Sequence, residues 1–131
     1  MSTITNILAV DDDPIFLKTF LLPVLSIISN KLLLTAPNTL TTINIAHDGY
    51  EGWNLFKKIK PDIVFTDRQM PRMSGDELVT NIITYEYQPK AIIMISNAKP
   101  DIHLKGITKF IDKRDVLNMF FETKKQKDKT G

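Results

Sequence analysis

The sequence predicts an α/β domain built on a doubly wound, five-stranded parallel sheet. Two observations carry that prediction. Short apolar runs alternate with amphipathic helical patterns, the rhythm of parallel strands joined by crossover helices and buried on both faces. Each of four runs also delivers a chemically active side chain at or just past its end, at Asp11, Asp67, Ser96 and Lys113. Sheets of this class place ligands outside the carboxyl ends of their strands, near the switch in strand order. A chain of 131 residues is long enough for one such domain with its own core.

The elements follow in order. "NILAV" (6–10) reads as the first strand and runs into Asp11, Asp12 and Asp13. Asp13 is suited to cap a helix that starts at Pro14, where a missing amide hydrogen costs nothing. That helix is expected to continue through Phe16, Phe20, Val24 and Ile28 as far as Leu32. "TINIA" (42–46) reads as the second strand. "GYEGWNLFKKI" (49–59) follows as a helix with Trp53 and Phe56 turned inward. Lys60 and Pro61 break the chain before the third strand, "DIVFT" (62–66). "SGDELVTNIITYE" (74–86) places Leu78, Ile82 and Tyr85 on one helical face. "KAIIMIS" (90–96) and "KFID" (109–112) are the last strands, and "RDVLNMFFETKK" (114–125) the last helix.

Composition narrows the chemistry. Hydrophobic residues make up 43% and charged ones 24%, as in an ordinary soluble protein. The absence of cysteine excludes disulfides and thiolate metal sites, and two histidines, His47 and His103, argue against zinc. The net charge of +2 is carried by the tail "ETKKQKDKTG", so the remainder is balanced and no nucleic-acid partner is expected. Residues 1–121 are read as the domain and 122–131 as a basic, flexible tail. "MSTITNILAV" lacks the features of a signal peptide, and "FLLPVLSII" (20–28) is about half the length of a membrane span. A cytoplasmic location without a membrane partner is the expectation.

Asp67 ends an apolar strand and opens the turn-rich loop "RQMPRMSG" (68–75). A buried acid is costly unless it is bonded, so Asp67 either caps the following backbone or waits for a ligand. Asp11, Asp12 and Asp67 converge at one sheet edge in the predicted fold, and three carboxylates there resist ionising together. A divalent cation resolves that conflict, and an all-oxygen donor set favours magnesium. Ser96 and Lys113 beside it would form a cradle for phosphoryl oxygens, and Asp67, on the central strand, is the best candidate acceptor. Taken singly, "DDD" before proline is a helix cap, Ser96 a strand-end hydroxyl and Lys113 a solvated helix start. Their shared location sets the sharper reading apart.

At these residues the chain resembles the receiver domain of two-component response regulators, from "ILAVDDDP" to "KFIDKRDVL". The signatures are "AVDDDP", "AHDGYEG", "KPDIVFTDRQMPRMSGDEL" and "IIMISNA". Most specific is D-x-x-M-P-x-M-x-G at Asp67, Met70, Pro71, Met73 and Gly75. The resemblance implies a flavodoxin-like (βα)5 receiver fold with Asp67 as the phosphoacceptor and Mg2+ as the cofactor. It makes Asp12 a direct metal ligand, Asp11 a ligand acting largely through water, and the main-chain carbonyl of Gln69 a further ligand. Ser96 matches the switch hydroxyl, Lys113 the phosphate-pairing lysine, and Phe110 the aromatic that rotates with Ser96. The implied partners are a sensor histidine kinase or a histidine phosphotransfer protein, then a downstream protein target that the sequence does not name.

Four departures qualify what carries over. Arg114 stands where the family usually has proline, which would leave the placement of Lys113 less constrained. Asn97 replaces a very small residue and is expected to narrow access to Asp67, slowing phosphoryl exchange. The stretch from Ser96 to Phe110 is short, so a fourth helix would span no more than a turn or two near Pro100. The stretch from Asp12 to Asp67 is long, with the excess around "SIISNKLLLTAPNTLT" (26–41). The apolar first helix, "FLLPVLSIISNKLLL", therefore suggests either burial under the long loop or a homodimer.

The leading reading is a stand-alone, chemotaxis-regulator-like phosphoacceptor switch that catalyses only its own phosphorylation and dephosphorylation. A phosphorylation-independent docking module with the same fold is the alternative, though an intact Asp11, Asp12, Asp67, Ser96 and Lys113 argues against it. A magnesium phosphohydrolase is a third reading, because "DDDP" after a strand also resembles an aspartate-nucleophile phosphatase motif. No second acidic motif accompanies Lys113, and turnover of a generic phosphomonoester would be its mark.

Overall fold

In a computed structural model, which describes residues 3–23, 39–97, 106–115 and 118, the ladders begin before the apolar runs do. β1 (Thr3–Val10) pairs with β2 (Thr39–Ala46) in parallel along its whole length, starting with Thr3 opposite Thr39. Both strands open three residues ahead of "NILAV" and "TINIA". The added residues are largely threonines, whose branched side chains suit a pleated surface but leave no apolar pattern to read. β3 (Ile63–Asp67), β4 (Ala91–Ser96) and β5 (Lys109–Asp112) complete an all-parallel sheet in the order β2-β1-β3-β4-β5. β3 lies one residue later than the apolar run suggests, so Asp67 is itself the last strand residue, opposite Ile95. Asp62 stays outside the strand, where its carboxylate accepts a bond from the Asn6 amide.

The first helix begins at Pro14, capped by Asp13 as expected. α1 (Pro14–Phe16) continues into π-helical turns over Leu17–Leu21, with the Leu22 amide bonded to the Leu17 carbonyl. α2 (Gly49–Ile59) has the predicted bounds. α3 (Gly75–Ile83) ends before the predicted Glu86. The side chain of Gln88 accounts for the early stop, donating to the Ile82 and Tyr85 carbonyls, Ile82 in the last turn and Tyr85 just past it. The predicted continuation through Val24 and Ile28 to Leu32 lies outside the described residues. So do the fourth helix near Pro100, the tail 122–131 and most of the last helix, of which 113–115 and 118 are helical.

The sheet is buried on both faces, and alternate strand residues serve opposite layers. Ile7, Ala9, Phe65 and Ile95 pack with Phe16, Leu17 and Leu21 of the first helical segment. Leu8, Val10, Val64, Ile92 and Met94 pack with Phe56 of α2 and Leu78, Val79 and Ile82 of α3. Two-sided burial is why these strands read as continuous apolar runs. Phe56 is fully buried and stacks on Trp53 at 5.8 Å, with Tyr85 and Tyr87 edge-on or tilted at 6.0 Å. Trp53 itself is only partly buried, with the Lys57 ammonium 5.1 Å above its ring.

Strand order reverses between β1 and β3, so Asp11 and Asp67 stand on neighbouring strand ends at the topological switch. Replacing Phe56 with alanine removes the ring that joins α2 to this core. A loss of about 3–5 kcal/mol is expected, measured as a lower urea midpoint with an unchanged slope.

Candidate functional site

Three acids follow β1, and they divide the work. The Asp13 carboxylate accepts from the Ile15 and Phe16 amides at 3.0 and 3.2 Å, which commits it to the helix start. Asp11 is buried and accepts from the Asp13 amide at 2.9 Å through Oδ1. Asp12 is exposed. Asp11, Asp12 and Asp67 each place a carboxylate oxygen within 4.8 Å of the other two. The predicted acidic cup is therefore present, and the cap reading of "DDD" holds for Asp13 alone.

Asp67 is 7% exposed and uses both of its oxygens. Oδ1 accepts from the Arg68 amide at 2.7 Å, the bond that a simple strand cap would make. Oδ2 lies 3.2 Å from the Lys113 ammonium, which sits equally close to Oδ2 of Asp11. The strand cap and the lysine contact thus coexist on one carboxylate. A signal missed in the sequence is Phe16, whose ring lies 4.6 Å beneath the Lys113 nitrogen and adds a cation–π contact.

The loop after Asp67 is drawn tight. The Gly75 amide donates to the Arg68 carbonyl at 2.7 Å. A Cβ at Gly75 would stand 2.0 Å from the Asp67 carbonyl oxygen, so only glycine lets α3 begin this close to the strand end. Gln69 is exposed within that loop. The side chain of Arg68 turns to Asp76 on α3, with Nε donating at 3.3 Å.

The remaining candidates lie on β4 and β5. Ser96 is buried at the end of β4, opposite Asp112, and Asn97 is exposed just beyond it. Phe110 is half-buried opposite Met94 and packs against the α2–α3 side of the core. The expected looseness around Lys113 is corrected by Arg114. Its amide, Nε and terminal nitrogen all donate to the Asp112 carboxylate, at 2.9, 3.2 and 2.8 Å. The turn is braced on both sides of Lys113 without proline. A cavity of about 480 Å³ along α2, lined by Tyr50, Leu55, Lys58, Ile59 and Arg72, shares no residue with the cup.

The electrostatics match the donor set. Burial, reinforced by the Asp67 charge, raises the Asp11 pKa to about 6 against the lowering effects of the Asp13 amide and Lys113. Burial works against the Lys113 charge, but Asp11 and Asp67 outweigh it and hold the lysine above its ordinary range. One ammonium shared by two carboxylates leaves the cup short of positive charge. The three acids supply only oxygen, so the residues fit a hard divalent ion and not a soft one.

The raised Asp11 value has a definite sign. The native state holds its proton up to about pH 6 while the unfolded chain releases it near 3.8, so the ionisation penalty is absent at low pH and complete above 6. Metal-free protein should gain roughly 1 kcal/mol between pH 7.5 and pH 5 from this group. Asp11→Asn should remove that gain in urea unfolding at the two pH values, and an undiminished gain would assign it elsewhere.

Comparison with known proteins identifies the family and the fold. Residues 7–118 match the response regulator receiver domain family. A protein-glutamate methylesterase/protein-glutamine glutaminase of Lawsonia intracellularis is 31% identical over 93 residues, 71% of this chain and 23% of that protein. Hybrid signal transduction histidine kinase D of Dictyostelium discoideum is 36% identical over 74 residues, 52% of this chain and 5% of that protein. The chain thus spans under a quarter of the length of these curated relatives. Among solved structures, the signal receiver domain of the putative response regulator NarL from Mycobacterium tuberculosis superposes with a TM-score of 0.59 at 18% identity, covering 94% of this chain and 98% of that one. The response regulator domain of Thermotoga maritima CheB gives 0.57 at 20% identity, covering 94% and 95%. Fold, strand-end acids and family match converge, and the chain belongs to the response regulator receiver domain family.

Proposed function

We propose that the chain takes a phosphoryl group onto Asp67 from a phosphohistidine donor, in a magnesium-dependent step, and acts as a conformational switch in two-component or phosphorelay signalling. The observation that carries this reading is the convergence of Asp11, Asp12 and Asp67 around a carboxylate that also faces Lys113. The likeness to a hybrid signal transduction histidine kinase supports a histidine-borne donor. In the transfer, a carboxylate oxygen of Asp67 forms the new bond to phosphorus as the phosphorus–nitrogen bond breaks. The imidazole nitrogen leaves with the electron pair. Asp11, Asp12, Asp67 and the Gln69 carbonyl would hold magnesium, which when bound supplies positive charge against the developing phosphoryl oxygens.

The chain's own residues then read out the change. A phosphoryl group adds charge and strong acceptors at the edge of β3. Lys113, already 3.2 Å from Asp67, pairs with the new oxygens, and Ser96 on the next strand end donates to another. Movement of Ser96 opens space for Phe110, half-buried on β5, to turn inward. The surface of β4 and β5 is biased between two states in this way and signals to a downstream protein. The domain spans residues 1–121, its catalysis is confined to its own phosphorylation and dephosphorylation, and its site of action is the cytoplasm. Among the described residues, no helix is long and apolar enough to cross a membrane. The homodimer expected of the first helix falls mainly on positions outside the described residues.

Intact mass after incubation with magnesium and a small acyl-phosphate donor tests the reading. The expected result is one added phosphoryl group, lost on chelation and absent in Asp67→Asn. Equal modification of Asp67→Asn would overturn the assignment of the acceptor.

A further inference from the structure

The loop that follows Asp67 is tied to a second, distant turn. Arg72, in the middle of that loop, has a φ of +68°, a left-handed conformation that side chains other than glycine, asparagine and aspartate rarely adopt. Its guanidinium reaches across to Asp48, with Nε 3.2 Å from Oδ2 and a terminal nitrogen 3.4 Å from Oδ1. The same guanidinium lies 4.6 Å over the ring of Tyr50. Asp48 also caps α2, since its Oδ1 accepts from the Glu51 amide at 2.7 Å.

The two backbones meet at this point as well. A Cβ on Gly49 would stand 2.1 Å from the Met73 carbonyl oxygen, so the loop rests directly on the first residue of α2. The Met73 amide donates to the Pro71 carbonyl at 2.7 Å, which tightens the loop on the near side of the contact. β1 lies between β2 and β3 in the sheet. The contact from the β3 loop to the β2 turn therefore spans the end of the strand that leads into Asp11 and Asp12.

We propose that Arg72 is a positioning residue for the magnesium cup, latching the 68–74 loop to Asp48 and Tyr50 so that the Gln69 carbonyl is held against the acidic pair. The inference rests on the magnesium reading of Asp11, Asp12 and Asp67 given above. It explains why a strained backbone is tolerated at an arginine. The forked ion pair and the ring contact hold it from one side, and the Gly49 approach from the other. Residues that orient metal ligands without touching the metal commonly set its affinity.

The test is the magnesium dissociation constant by titration calorimetry, with the thermal midpoint of metal-free protein measured alongside. Arg72→Ala is expected to weaken magnesium binding about tenfold. Asp48→Ser should do the same while keeping an acceptor for the Glu51 amide, so that α2 stays capped. Arg72→Lys should restore only part of the affinity, because an ammonium makes neither the fork nor the stack as well. The Arg72→Ala, Asp48→Ser double variant should be no weaker than either single one, as expected of one shared interaction. Unchanged affinity in Arg72→Ala, with the wild type still binding, overturns the latch alone. A lowered metal-free midpoint with unchanged affinity likewise overturns it, by assigning Arg72 a purely structural role. Failure of the wild type to bind magnesium overturns the parent reading and the latch with it.

Discussion

The ammonium of Lys113, shared between Asp11 and Asp67 at 3.2 Å from each, is the contact on which the rest of the site depends. It bridges two of the three carboxylates that meet at this sheet edge. Its side chain is largely buried, and the ring of Phe16 closes one side of it. A lysine so placed satisfies two acids incompletely and leaves Asp12 to solvent. The balance is one that a further positive charge, or a charged group arriving on Asp67, must alter. With three carboxylates and this shared ammonium, the edge keeps an excess of negative charge that a cation would offset.

The fold exists around that edge in a specific sense. β1 and β3 pair in parallel with both faces buried, and the switch in strand order between them puts their ends side by side. Asp13 removes itself from the cup by capping the helix, which keeps the acid count there at three. Gly75 allows α3 to start against the Asp67 carbonyl, and Asp112 with Arg114 braces the turn that delivers Lys113. Each device is local, yet all of them act on the same few ångströms.

Much of this was legible in the sequence because burial writes itself into apolar runs. "NILAV", "DIVF" and "KAIIMIS" mark strands covered on both faces, and the acids after the first two mark the sheet edge where the carboxylates converge. The missed strand starts are threonines, which pair across β1 and β2 without any apolar signature. The early end of α3 depends on Gln88 folding back onto carbonyls, a tertiary choice that helical periodicity does not encode. The same holds for the site. Asp11, Asp12, Asp67 and Lys113 announce themselves by position, whereas the pairing of Arg72 with Asp48 joins residues far apart in the chain through a left-handed backbone. The brace at Arg114 looked like a defect in the sequence because its compensating partner, Asp112, is recognisable only once the turn is folded.

Thermal unfolding with and without magnesium decides whether the cup is a divalent-cation site. An ion that binds the folded state alone must raise the unfolding midpoint as its concentration rises. Magnesium should produce such a rise at neutral pH, sodium at matched ionic strength none, and Asp12→Asn should sharply reduce it. A midpoint indifferent to magnesium, or one that rises equally in Asp12→Asn, would contradict a divalent-cation site in the cup.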